Sequence, residues 1–92
     1  MPIRILVFGR EGDGAAFAAL AQVRAMIGEM RLDASAQIIT DPAQLAMNGI
    51  DSPPGVSIDG MTISNGWVPS RNELARAIQQ RLAAINVHKQ VH

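Results

Sequence analysis

The spacing of apolar residues changes several times along this chain, and each change marks an element. Ile3 to Phe8 is an apolar run broken only by Arg4. Rich in β-branched and aromatic residues, it reads as a central strand buried on both faces. Gly9 to Gly14 holds three glycines and three charges in six residues and is a loop. From Ala15 to about Arg31 the period lengthens: Ala16, Leu20, Val23, Ile27 and Met30 form one helical stripe, with Phe17 beside it. Asp13 is placed to cap that helix, where the dipole favours an acid. Ala34 to Thr40 is a second strand with Ile38 and Ile39 as its core. Asp41-Pro42 then opens a short helix that ends by Asn48-Gly49.

Asp51-Ser-Pro-Pro-Gly-Val-Ser-Ile-Asp-Gly60 comes next, a double proline running into a short strand and a tight turn. Two prolines fix φ twice and remove two backbone donors, so ladder pairing starts no earlier than Gly55. An X-Pro bond is also the one common site of a cis peptide. Val56 and Ile58 point to one face, Ser57 and Asp59 to the other, and Asp59-Gly60 forms a hairpin turn into Met61–Ser64. Gly66-Trp-Val-Pro69 leads to the last helix, where Ser70-Arg-Asn-Glu73 has the spacing of a capping box. Leu74, Ile78, Leu82 and Ile85 are its buried stripe. Residues 1–85 make one domain, and the polar stretch 86–92 is expected to fray. The order is β-α-β-α-β-β-α: an α/β fold with a mixed four-stranded sheet, its first two strands parallel, and helices on both faces.

Composition narrows the chemistry. The chain has 92 residues, 48 % of them hydrophobic and 17 % charged, which suits one small globular core. Eight basic residues balance eight acidic ones, so net charge points neither to nucleic acid nor to an anionic membrane. Cysteine is absent, which excludes disulfides, thiolate metal sites and thiol catalysis by this chain. No segment reaches 18 apolar residues and the N-terminal run is too short for a signal peptide; a cytoplasmic location is the expectation.

The chain resembles the small thioredoxin-like family of redox-active disulfide proteins, glutaredoxin-sized members of which occur in archaea and bacteria. The resemblance covers roughly residues 3–85. It rests on the first strand with its glycine-containing loop and helix, on Asp51–Gly60, and on Gly66-Trp-Val-Pro-Ser-Arg-Asn-Glu-Leu74. It implies a thioredoxin-like fold with Pro54 as the family's cis-proline. The family's Cys-x-x-Cys window falls on Glu11-Gly12-Asp13-Gly14, where both thiols are missing. The resemblance therefore implies the scaffold and the proline corner and withholds the redox chemistry.

Each remaining candidate has a plainer counterpart. Gly9, Gly12 and Gly14 ahead of a helix suggest phosphate binding. Their spacing matches no phosphate-loop motif, and Glu11 and Asp13 would repel the ligand. Glu11 and Asp13 could hold a cation with Asp51 or Asp59, or act as an acid/base pair, but the spacing is sparse for Ca²⁺ and no histidine supports them. His88 and His92 are four apart, a chelating spacing only on an intact helix. Trp67 is either a core-edge cover for the hairpin or an exposed partner anchor. Met26, Met30, Met47 and Met61 read as core fillers.

The expectation is a non-catalytic thioredoxin-like binding module with a protein or peptide partner and no cofactor or metal. Its partner surface is the former active-site region: Glu11, Gly12, Asp13, Gly14, Pro53, Pro54 and Trp67. The alternatives are a structural subunit of a homodimer or larger complex, and a non-thiol enzyme using Glu11 and Asp13.

Overall fold

The computed structural model describes residues 2–90, the side chains of 88–90 excepted. Four strands and three helices alternate as the apolar pattern requires: β1 (Ile3–Phe8), α1 (Gly14–Glu29), β2 (Ala34–Ile39), α2 (Pro42–Met47), β3 (Gly55–Ile58), β4 (Met61–Asn65) and α3 (Arg71–Gln90). They build a mixed sheet in the order β2-β1-β3-β4. β1 is parallel to β2 and antiparallel to β3, and β3 and β4 form a hairpin.

The alternation of β1 divides the core between two faces. Ile3, Ile5 and Val7 point to the side covered by α1 and α3, where they meet Leu20, Val23 and Met26 of α1, Val56 and Ile58 of β3, and Leu74 and Ile78 of α3. Phe8 points the other way, into a smaller cluster with Leu45 of α2 and Ile50. A six-residue helix cannot cover a whole sheet face, and Leu6 and Ile39 at the margin of this cluster stay only partly buried.

Several local features are set by close approach or by turn geometry. A Cβ on Gly9 would lie 2.3 Å from the Ala16 Cβ, so only glycine lets β1 run this close under α1. α1 ends in a Schellman motif: Leu32 N–H donates to Ile27 O (3.0 Å) and Arg31 N–H to Gly28 O (3.3 Å). The left-handed position there is filled by Arg31, with φ 51°. Asp59 (φ 48°) and Gly60 (φ 83°) form the hairpin turn. The register of β3 with β4 slips by one residue between Val56 and Ser57, leaving Ile63 as an extra residue in β4.

Ser57 points away from Val56 and Ile58 and is buried as they are. Three readings of the pattern are corrected. Met26 is a core residue and Met30 packs at its margin, but Met47 and Met61 are 84 % and 50 % exposed. Both occupy the outward side of elements too short to wrap round it. Leu82 and Ile85 are half-buried, since α3 runs past the sheet beneath it. α3 also continues through residues 86–90, where no glycine or proline interrupts it. Of the two tail histidines, His92 and the His88 side chain lie outside the described residues.

Candidate functional site

The carboxyl ends of β1 and β2 open into a cleft, the place where open α/β sheets commonly form one. Its volume is ≈ 690 Å³. Leu45, Ile50 and Pro53 give it an apolar lining, and Arg10, Glu11 and Asp51 supply charge. The α2 side is contributed by Pro42 and Ala46, with Thr40 at the end of β2. Phe8, Leu45 and Ile50 pack together beneath, so the cleft has a firm floor.

The loop that holds Glu11 is pinned at both ends. Asp13 N–H donates to Arg10 O (3.0 Å), and Gly12 takes a positive φ of 78° that a side chain would resist. The Asp13 carboxylate accepts from Ala15 N–H at 2.9 Å, and its backbone is the N-cap of α1. That carboxylate therefore serves the helix. Gly14 is the first residue of α1, and its absent Cβ would meet nothing within 4 Å.

The proline corner forms the opposite wall, and β4 fastens it. Asn65 at the end of β4 accepts from Ser52 N–H (3.0 Å) through Oδ1, and through Nδ2 donates to the Asp51 carboxylate (2.8 Å) and Gly49 O (3.3 Å). The next residue, Gly66, donates its N–H to Pro54 O at 2.8 Å. The Pro53–Pro54 peptide is cis. With three hydrogen bonds on one side chain, Asn65 holds residues 49–52 as a unit against the sheet.

The expected site residues thus divide into groups. Glu11 and Pro53 face one cleft. Gly12, Asp13 and Gly14 shape its loop from behind, and Pro54 O accepts from Gly66, the residue after β4. Trp67 does not line the cleft; it lies on the α3 lead-in, 48 % exposed. Beside it, the Glu73 carboxylate accepts from Ser70 N–H (3.1 Å) while Ser70 Oγ accepts from Glu73 N–H (3.1 Å), a complete capping box. The Ser70 amide, followed by the Ser70 hydroxyl and the Trp67 indole, holds the Glu73 carboxyl below its ordinary range. Asp59 belongs to a different structure. It accepts from Arg4 N–H (2.8 Å) and pairs with Arg81 of α3 (2.7 Å). Among the described residues no group of three or more His, Cys, Asp or Glu could hold a metal ion, and no helix is long and apolar enough to cross a membrane.

Sequence reasoning missed Arg10, Thr40, Leu45 and Ile50 as cleft residues, and Asn65 as the clamp. The strand order carried a signal for the first four, since all lie on or beyond the carboxyl ends of two adjacent parallel strands or on the segment that follows. Asn65 left none, because its partners are 13 to 16 residues away.

The model of one family, described as a thioredoxin domain, matches residues 4–79. The chain belongs to this family, and it is a member without cysteine. Among curated proteins none matches. Solved structures similar to it include a malarial protein (TM-score 0.67, 10 % identity, covering 87 % of this chain and 97 % of that one). A protein of unknown function from Staphylococcus aureus has TM-score 0.66 and 10 % identity, covering 90 % of this chain and 94 % of that one. Glutaredoxin 1 from Francisella tularensis, solved with cacodylate, has TM-score 0.43 and 19 % identity, covering 88 % and 98 %. At these identities the first two establish the fold alone.

Proposed function

We propose that this thioredoxin domain is a non-catalytic binding module, and that the cleft between the Glu11 loop and the proline corner receives an extended segment of a protein partner. One observation carries the reading: Glu11, at the position of the family's first thiol, and Pro53, before its cis-proline, line the same apolar-floored cleft. A domain without cysteine keeps no thiol chemistry there, but strand addition beside the proline corner needs none.

The chain departs from ordinary strand addition at Pro53, which has no N–H to offer. One missing hydrogen bond weakens pairing by about 0.5–1.5 kcal/mol. The partner therefore relies chiefly on an apolar side chain seated over Leu45, Ile50 and Pro53, with Arg10 and Glu11 selecting its flanks.

A displayed library of random linear peptides, selected on the immobilised domain, supplies the probe, and titration calorimetry measures the enriched peptide. Ala46→Trp fills the cleft from the exposed face of α2 and lowers affinity about tenfold or more. Pro53→Ala restores the amide and raises affinity by no more than about tenfold. An enriched peptide that is indifferent to Ala46→Trp and to Glu11→Ala would overturn the proposal, as would a selection that enriches nothing.

A further inference from the structure

The two edges of the sheet are unequally protected. β4 at one edge carries the extra residue Ile63, a bulge that breaks regular pairing. β2 at the other edge is six residues, Ala-Ser-Ala-Gln-Ile-Ile, in unbroken register with β1 and with no charge or proline. Natural edges are usually blunted by one of these devices, and β2 has none.

Its outward backbone groups can be assigned. Ile3 N–H donates to Asp33 O (2.9 Å) and Gly9 N–H to Ile39 O (3.1 Å). In a parallel ladder the groups of alternate residues face one neighbour, so residues 33, 35, 37 and 39 face β1. Ala34, Ala36 and Ile38 then turn both N–H and C=O away from the sheet.

We propose that this edge pairs with β2 of a second copy, antiparallel about a two-fold axis through Ala36, making one continuous eight-stranded sheet. The register follows from the outward set, since hydrogen-bonded pairs must join Ala34, Ala36 and Ile38 to one another. Centring on Ala36 sets each Ile38 opposite an Ala34, large against small, and Ala36 opposite itself. On the other face it sets Ser35 opposite Gln37. No like charges meet within the paired strands.

The layer above matches the same symmetry. On α1, Gln22 reaches Pro69 and Glu29 pairs with Arg71, so that flank faces α3. At 100° per residue Phe17 and Arg24 share the opposite flank, on the side of the β2 edge. Phe17 is 52 % exposed there, and Arg24 and Gly28 are exposed. Two antiparallel copies of α1 bring each Phe17 towards the Arg24–Gly28 stretch of the other, an aromatic ring against a guanidinium and a gap with no side chain. Such a patch is complementary to itself, as a two-fold interface requires. The inference does not depend on the cleft or its ligand.

Sedimentation equilibrium on the whole chain tests it, with circular dichroism confirming the fold of each variant. The wild type is expected at twice the chain mass, dissociating on dilution. Ser35 and Gln37 have exposed side chains on the edge strand. The double variant Ser35→Lys/Gln37→Lys sets lysine against lysine and is expected to be monomeric; Ser35→Lys/Gln37→Glu sets lysine against glutamate and restores the dimer. A wild type that stays monomeric at millimolar protein overturns the proposal. So does a dimer that both variants leave unchanged. A second, backbone variant is Ala36→Pro, which removes an outward amide that β1 does not use; a folded Ala36→Pro that still dimerises as the wild type does also counts against it.

Discussion

Arg31 is the residue whose backbone works hardest against its own side chain. It closes the Schellman motif of α1 at φ 51°, a region where a Cβ costs roughly 1–2 kcal/mol. Glycine there relieves the clash but loses more chain entropy on folding, so Arg31→Gly should stabilise by about 0.5–1 kcal/mol. Urea unfolding measures this, and a midpoint that falls would mean the Arg31 side chain makes a contact worth more than the strain. The sequence hid this position, because glycine is the usual mark of such a helix end and Gly28 comes three residues too soon. The other caps were legible. Asp13, Asp41 and the Ser70/Glu73 pair all act through local hydrogen bonds, two or three residues apart.

Elements were readable for a similar reason: a strand or helix is a repeating pattern, and β1, α1 and α3 repeat long enough to be seen. Pairing between elements is a property of pairs of segments far apart, and Asn65 shows the difference. Its three hydrogen bonds tie the end of β4 to the 49–52 loop, and no local period marks it. Asn65→Ala leaves Ser52 N–H and the Asp51 carboxylate without that partner and should cost about 1–3 kcal/mol. Hydrogen exchange localises the effect. Amides of residues 50–52 are expected to lose protection while those of β1 keep theirs; uniform loss across the sheet would show that Asn65 supports the whole fold and not one wall of the cleft. Of the residues named from the family's proline corner and loop, Glu11 and Pro53 line the cleft. The α2 side was not foreseen, because a six-residue helix announces little about what it leaves uncovered.

At the scale of the molecule, the Asp59 carboxylate joins the hairpin turn to β1 and to the middle of α3. Burial pushes this carboxyl up, but the Arg4 amide and the Arg81 guanidinium together hold it below its ordinary value of 3.8. A group depressed on folding contributes stability that is complete above its unfolded value. That contribution is lost as pH falls through the lower, folded one. Thermodynamic stability should therefore decline on acidification in this window, and Asp59→Asn should flatten that part of the decline. Asparagine tolerates the left-handed backbone at this position, which keeps the comparison clean. Chemical denaturation repeated from neutral to acid conditions checks it, and parallel curves for the two proteins would assign the acid sensitivity elsewhere.

The strand order has a consequence for the chain as it is made. β1 is the central, most apolar strand, yet it leaves the ribosome before either neighbour in the sheet. Its parallel partner follows after α1, but Ile58, which pairs with Ile5, comes about 50 residues later. At about 5–20 residues per second, one side of the most aggregation-prone segment of the nascent chain stays unpaired for several seconds. Leu74 and Ile78 of α3, which complete the core that Leu20, Val23 and Met26 of α1 begin on its apolar face, are later still. During synthesis this domain is a protein whose centre is finished last.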